Sequence, residues 1–303
     1  MPRRGASKEH RMAQQAWIVT EPTVIDFELI RGLKVGLIGG QIDIVGHDEP
    51  GARVEVHSVA GRDLKVALEG DTLVIDHPQL RWDTIFDNFR LFSGKARAEV
   101  SILVPRSIAL NFNVVSAEGL ISGLHSGASV NTVSGDVVLD RIVGDVSVHA
   151  VTAEVSVRAH EGKLTVQTVS GDVTASGAIT RFTCDGVSAD VIADLHGSPD
   201  RVRNSTVSGD VTVRLDAGVA ATYSITTLTG LLQLDDAQIS GVKGKYTGRY
   251  GQLAGSFTEV RADSVSGDVS IVHTDRTATH PHAPASGAAA DTAAATDTAE
   301  ASA

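Results

Sequence analysis

The sequence has little of what would indicate a disulfide scaffold or a membrane protein. Its 303 residues include one cysteine, Cys184, and eight prolines, and aromatic residues make up only 4%. A single cysteine cannot form an intramolecular disulfide, so a buried, inert thiol is expected. No stretch approaches the roughly eighteen consecutive apolar residues of a membrane span, and no apolar run of secretory length follows the basic first residues. The expected location is therefore cytoplasmic.

The chain also lacks an excess of basic residues. Lys and Arg number 26 against 37 Asp and Glu, which gives a formal net charge of −11 at pH 7. Such a field repels nucleic acid unless a local patch overcomes it, so no nucleic-acid partner is expected. The sequence contains no Gly-x-Ser-x-Gly elbow, phosphate-binding loop or His-Glu-x-x-His pair. We therefore expect neither enzymatic activity nor a cofactor.

What the sequence does contain is a degenerate repeat of about eighteen residues. Its core reads Thr-Val-Ser-Gly-Asp-Val, with good copies at 132–137, 168–173 and 206–211, and a fourth that begins with Ser at 264–269. The hydroxyl residues of five consecutive copies lie eighteen positions apart: Ser116, Ser134, Thr152, Ser170 and Ser188. Later steps, through Ser208, Thr229, Thr247 and Ser266, vary from 18 to 21 residues. Small loop insertions would explain them.

Each copy predicts two short strands and two bends. Val133 and Val137 share one parity, which is the alternation of a half-buried strand. A two-strand unit cannot bury its apolar face alone, so successive units must stack and pair through their backbones. We therefore predict an all-β fold, a β-solenoid or β-helix-like stack, with a flattened β-sandwich as the alternative. The pattern places Val137, Val146, Val155, Leu164, Val173 and Val191 inside, and Asp136, Asp172 and Asp210 outside.

The repeat also sets the expected domain organisation. Residues 16–273 form a single β-repeat domain, with irregular opening strands at 16–115 and regular repeats at 116–273. Residues 1–15 have the composition of a disordered basic arm, and residues 274–303, rich in Ala, Thr and Pro, that of a disordered tail. Because the ends of a solenoid present unpaired strands, a homo-oligomer formed through the solenoid ends is also expected.

One segment of the opening region, residues 80–94, breaks the β pattern. Its aromatic residues lie at spacings close to those of one helical face, which predicts a short amphipathic helix or loop insertion. The favoured interpretation is a cap, because an uncovered solenoid end invites edge-to-edge aggregation. The alternative is a contact for a partner or a membrane. The four aromatic residues are Trp82, Phe86, Phe89 and Phe92.

Acidic residues recur two positions after the aligned hydroxyl, so a solenoid would stack six carboxylates: Glu118, Asp136, Glu154, Asp172, Asp190 and Asp210. At a rung spacing of about 4.8 Å these charges repel one another. Hydrogen bonds from backbone N–H groups in each Gly-Asp bend are the favoured relief. A row of calcium ions is the alternative, although calcium-binding β-rolls repeat Gly-Gly-x-Gly-x-Asp and these copies offer one Gly and one Asp.

Several of these segments resemble a known family. Val-Ser-Ile-Leu-Val-Pro at 100–105, the strand at 110–115 and the Val-Ser-Gly-Asp-Val copies are similar to the bacterial putative adhesin family of β-strand repeat proteins, a DUF4097-type domain of unknown function. Gly-Lys-Tyr-Thr-Gly-Arg-Tyr-Gly at 244–251 is similar to that family's ending. The resemblance implies a β-repeat fold and supplies no catalytic residues.

These features favour a non-enzymatic structural or interaction module that presents a β-repeat surface to a protein or polymer partner. The alternative is a surface adhesin that binds glycans or host proteins. A third hypothesis is a carbohydrate-active enzyme on a β-helix scaffold, which would need paired carboxylates and aromatic platforms for sugar rings. The repeat region has few aromatic residues to supply such platforms.

Overall fold

The computed structural model describes residues 15–77, 96–239, 244–253 and 255–275, and these residues fold into strands joined by turns and bends. Within these ranges there is no helix long and apolar enough to cross a membrane. The strands are β1 Gln15–Val19, β2 Thr23–Phe27, β3 Gly32–His47, β4 Ala52–Ala60, β5 Leu64–Glu69, β6 Thr72–Asp76, β7 Arg97–Pro105, β8 Ala109–Ser122, β9 Ala128–Thr132, β10 Val137–Asp140, β11 Val146–Thr152, β12 Val155–Ser170, β13 Val173–Ser188, β14 Val191–Leu195, β15 Arg201–Ser208, β16 Val211–Asp216, β17 Ala221–Thr229, β18 Leu232–Leu234, β19 Ala237–Ile239, β20 Gly244–Tyr250, β21 Thr258–Ser266 and β22 Val269–Thr274.

Mostly parallel pairing stacks these strands into a flattened β-solenoid, which confirms the predicted fold class. Each coil contributes to two sheets, and β3, β8, β12 and β13 are long enough to bend at a corner and join both. The first sheet has the order β1-β5-β6-β3-β8-β9-β11-β12-β13-β15-β21-β17-β20. The second has the order β2-β4-β7-β3-β8-β10-β12-β13-β14-β16-β22-β18-β19.

Aliphatic side chains from the inner faces of the two sheets form one core. The side-chain directions predicted from the alternation are confirmed, because a strand's period of two fixes which face each side chain takes. The interior positions Val137, Val146, Val155, Leu164, Val173 and Val191 are buried, and Asp136, Asp172 and Asp210 are exposed.

The prediction that Val133 shares a face with Val137 is wrong. Thr132 is buried, Val133 turns outward and Val137 is buried again. β9 ends at Thr132 and β10 begins at Val137, so the residues between them turn a corner instead of continuing a strand. The corner resets the alternation, which holds only along a continuous extended backbone.

The last coil of the sequence is not the last coil of the stack. β21 and β22 pair in parallel with β15 and β16 on one side and with β17 and β18 on the other. Ser266 therefore lies between Ser208 and Thr229, while Thr247 belongs to the antiparallel strand β20. The irregular steps after Ser188 thus reflect a change of topology, which loop insertions alone do not explain.

Antiparallel strands cover the two ends of the described stack. β1 and β2 are outermost at one end, and β19 and β20 are outermost at the other. Lys245 and Arg249 are exposed on β20, and charges on an edge strand oppose edge-to-edge pairing. The aromatic residues Trp82, Phe86, Phe89 and Phe92, predicted to form a cap, lie outside the described residues.

The register predicts opposite outcomes for two adjacent aspartate substitutions. Val173→Asp should lower the free energy of unfolding by about 3–5 kcal/mol, because it buries an unpaired carboxylate. Thr174→Asp, on the solvent face of the same strand, should change it by less than about 1 kcal/mol. Urea denaturation of both variants measures the difference. Equal destabilisation would contradict the register.

Candidate functional site

The motif corner is held by the hydroxyl side chains on either side of its first valine. The buried Thr132 hydroxyl donates to the carbonyl oxygen of Gly135 at 2.7 Å and accepts the N–H of the same residue at 3.1 Å. The Ser134 hydroxyl donates to the carbonyl oxygen of Val115, in the preceding coil, at 3.1 Å. Threonine thus satisfies backbone groups inside its own corner, and serine links neighbouring corners.

The glycine of the motif is required by the close approach of successive coils. Gly171 has a φ of 114°, and a Cβ at this position would lie 2.3 Å from the carbonyl oxygen of Ala153. Gly209 has a φ of 115°, and its Cβ would lie 2.1 Å from the carbonyl oxygen of Ala189. An L side chain is strained by this φ and has no space here, so glycine is required at both positions.

The acidic residue of the motif accepts a hydrogen bond from the following coil. Oδ1 of Asp136 accepts the Glu154 N–H at 2.9 Å, and Oδ1 of Asp190 accepts the Asp210 N–H at 2.7 Å. Oδ1 of Asp210 accepts the N–H of Asp268 at 2.8 Å, which adds a seventh carboxylate to the row. The six residues identified from the sequence occupy successive coils: Glu118, Asp136, Glu154, Asp172, Asp190 and Asp210.

Asp268 was missed because its place in the row depends on the insertion of β22 between β16 and β18. The only signal in the sequence was that it belongs to a good copy of the motif. Within the described residues, no group of three or more His, Cys, Asp or Glu side chains is placed to hold a metal ion.

The first valine of the motif differs from the other motif residues. In the part of the chain that the structure describes, its side chain is neither buried in the core nor involved in holding the corner. Side chains at this position face solvent on successive coils and form one row. Four of them are 44–50% exposed: Val169, Val187, Val207 and Val265. We call the row formed by these four with the partly exposed Val133 and Val151 the valine ridge. Contiguous apolar surface of this kind is typical of interaction sites.

A surface groove of about 640 Å³ lies beside the valine ridge. Its other side is lined by one polar side chain from each of six successive coils, which the strand register aligns. At about 4.8 Å per coil, these six positions span about 24 Å. The polar residues are Asn113, Asn131, His149, Gln167, Asp185 and Ser205. The groove was not predicted from the sequence, because the alternation places Val133 in the interior.

Some polar side chains that line the groove are free to form hydrogen bonds with a ligand. The Asn131 amide donates to the amide oxygen of Asn113 at 2.9 Å. The exposed side chains of His149 and Gln167 make no hydrogen bond to another described side chain or backbone group. Donors and acceptors are therefore available to a ligand along the groove.

A second polar cluster lies under the strands that cover the far end of the stack. The Nδ1 atom of His273 lies 3.1 Å from Oδ1 of Asp235, and its Nε2 atom lies 3.3 Å from the Tyr223 hydroxyl. The ring of Tyr250 stacks on His273 at 3.6 Å. Burial raises the pKa of Tyr223 above its ordinary value, so the phenol remains protonated and is not a nucleophile at neutral pH.

The cysteine thiol is equally unsuited to nucleophilic chemistry. Cys184 is buried in the core, and this burial raises the pKa of its thiol to about 12. The reactive form of cysteine is the thiolate, which is scarce at neutral pH when the pKa is this high. The thiol therefore packs as a small apolar group.

Coils of two strands, stacked in parallel and closed at a Thr-Val-Ser-Gly-Asp corner, define a repeat protein of the β-solenoid class. The sequence matches the Toastrack DUF4097 family over residues 40–272. The chain belongs to this family. No curated protein matches it.

Three solved structures are similar to the chain at low identity. A putative cell adhesion protein from Clostridium sporogenes is 14% identical, with 86% of this chain and 99% of that chain covered and a TM-score of 0.25. A putative lipid binding protein from Parabacteroides distasonis is 12% identical, with 84% and 95% covered and a TM-score of 0.44. A putative adhesin from Bacteroides fragilis is 12% identical, with 83% and 98% covered and a TM-score of 0.38. The family assignment rests on the sequence match alone.

The hydrogen bonds of the carboxylate row predict a small response to calcium. Because backbone N–H groups already bind several of these carboxylates, millimolar calcium should move the melting temperature by less than about 2 °C relative to a chelator. Magnesium at the same concentration controls for ionic strength. A calcium-specific rise of about 10 °C or more would instead identify the row as a cation site.

Proposed function

We propose that the protein is a non-catalytic binding module, and that the groove beside the valine ridge holds an elongated glycan running along the solenoid axis. The observation that supports this proposal is the valine ridge itself. Thr, Ser, Gly and Asp of the motif serve the corner, whereas its first valine is partly exposed on six successive coils and about half exposed on four of them. An apolar side chain retained at a solvent-facing repeat position is explained by contact with a partner.

The chemistry of the groove favours a glycan over other elongated partners. The five coils from Asn131 to Ser205 each offer one valine of the ridge and one polar side chain, and this pair recurs about every 4.8 Å. A linear glycan presents apolar C–H faces and hydroxyl groups in every unit, so its amphipathic repeat can match the coil repeat. An acyl chain would leave the polar side of the groove unmatched, which costs binding energy.

The residue types also indicate how such a ligand would be held. Asn, Gln, His and Asp side chains can donate or accept hydrogen bonds with sugar hydroxyls, and each coil supplies one of them. Valine contributes apolar contact without the large ring surface of an aromatic residue. Each unit therefore contributes little by itself, and affinity has to come from several coils acting together.

We therefore expect affinity to depend on ligand length. Oligosaccharides that bind the protein on a glycan array should bind more tightly with each added unit up to about six, the number of coils that line the groove with a residue of the polar row. Beyond that length the affinity should level off. Isothermal titration with a series from two to eight units measures it. Affinity independent of length would contradict binding along the axis.

Substitutions on the valine ridge test the location of the ligand. Val169→Ser combined with Val187→Ser should weaken binding by about tenfold through lost apolar contact. Stability should change little, because both side chains are about half exposed. Val24→Ser is the matched control, since Val24 is 58% exposed on β2, away from the ridge. Equal effects of the control and the double substitution would place the ligand elsewhere.

A further inference from the structure

Exposed basic residues lie directly opposite one another on the outer face of the first sheet, although like charges are unfavourable as cross-strand pairs. Lys163 lies directly opposite Arg181 on the neighbouring strand, and Arg181 lies directly opposite Arg201. Arg203 is likewise opposite Arg261. Three like-charged pairs therefore occur on four adjoining strands. We call these five residues the cationic cluster.

Like charges placed directly opposite each other destabilise a sheet, and no feature of the fold requires them here. Two of the five are neutralised within the chain: Arg201 contacts Glu259 at 2.7 Å, and Arg261 contacts Asp263 at 2.8 Å. The side chains of the other three form no ion pair or hydrogen bond with any described residue, although all three are exposed: Lys163, Arg181 and Arg203.

The carboxylate row at the motif corner also stacks like charges, but its charges are compensated by the fold. Carboxylates stacked on successive coils accept backbone N–H groups of the next coil, as Asp190 does from Asp210. Lysine and arginine side chains carry only donors, and the backbone carbonyls of a strand are already used in the sheet. Water and salt screen part of the repulsion among these exposed residues, and anions relieve it most directly. Among the described residues, carboxylates form ion pairs with two of the five cations.

The cationic cluster adjoins the proposed glycan site. Arg203 lies two residues before Ser205, and Arg181 lies four residues before Asp185, on the same outward faces of β15 and β13. Ser205 and Asp185 both line the groove. Strand residues two apart point to the same face about 7 Å from each other. A chain in the groove therefore passes within side-chain reach of Arg203, and Arg181 lies farther along its strand, about 13 Å from Asp185.

We infer that the cationic cluster binds the carboxylate groups of an anionic glycan in the groove, an inference that rests on the proposed function. The pair Arg201 and Glu259 shows that a carboxylate placed at the neighbouring coil reaches a guanidinium group on this face. The planar fork of arginine matches a carboxylate with two parallel hydrogen bonds. A linear polyuronate is the kind of acidic glycan that supplies one carboxylate per unit, at a spacing comparable with that of the coils.

The charge distribution also determines on which side of the valine ridge an anionic chain lies. The carboxylate row, including Asp172 and Asp190, occupies the corner on one side of the ridge, and the cationic cluster occupies the sheet on the other. A polyanion is repelled from the first side and attracted to the second. In a chain of net charge −11, this face is a local exception to the overall field.

The experiment uses the full chain and two linear probes, polygalacturonate as the acidic glycan and a neutral glucan of equal length. Arg181→Gln combined with Arg203→Gln should weaken polygalacturonate binding by about tenfold and reduce its dependence on salt. Binding of the neutral glucan should be unchanged. Arg214→Gln is the matched control, because Arg214 is exposed on the second sheet, and it should bind both probes as the unmodified chain does.

The outcomes separate this inference from the proposal on which it rests. If both probes bind through the valine ridge but the double arginine substitution changes neither, the cationic cluster has no part in binding and the inference fails alone. If neither glycan binds, the proposed function fails. Single-stranded DNA serves as a third probe, and equal affinity with the same arginine dependence would overturn the assignment to a carboxylated glycan.

A measurement without ligand keeps the inference testable if binding is weak. Arg181→Gln removes two directly opposed like-charge pairs, so it should raise the melting temperature at low ionic strength. The rise should shrink as salt is added, because screening already weakens the repulsion. A fall in melting temperature at low salt would show that Arg181 supports the fold, and would overturn the view that it is held there for a ligand.

Discussion

The structure depends on hydrogen bonding between successive coils at the motif corner. The N–H groups of Val155 and Val173 donate to the carbonyl oxygens of Asp172 and Asp190 in the next coil, each at 2.9 Å. A coil of two short strands has too little apolar surface and too few internal partners to fold alone. Stacking provides both. It requires a glycine at Gly171 and Gly209, where the backbone approaches the alanine at the same position of the neighbouring coil, and an acceptor where the chain turns. The residues of the motif meet these requirements.

The residues of the motif divide into those that stabilise the fold and one that is available for binding. Thr132, Ser134 and Gly135 make or permit bonds at one corner, and the valine after Asp136 enters the core. The first valine does none of these things and faces solvent. The proposed site therefore consists of side chains that the corner does not need. These side chains recur once in each coil, because the same sequence repeat forms both the coil and the site.

Periodicity in the sequence was sufficient to predict the solenoid and the buried residues within strands, because both follow from alternation along a continuous chain. It failed at Val133, where a corner interrupts the strand and reverses the parity, and the groove went unnoticed for that reason. It also could not place β22 between β16 and β18, or Asp268 next to Asp210, because insertion of a late coil leaves no periodic trace. The cationic cluster joins residues from several strands, so pairing had to be known first.

The central claim is that the motif corner turns its first valine toward solvent and the valine four residues later into the core. Thiol labelling of variants with a single introduced cysteine tests this claim most directly. Cys184 is buried, so the unmodified chain gives a slow background. A cysteine in place of Val169 should react in the native state nearly as fast as a free exposed thiol. A cysteine in place of Val173, four residues later in the same motif copy, should react only as fast as the protein opens. Equal protection at both positions, or faster labelling at 173, would contradict the account.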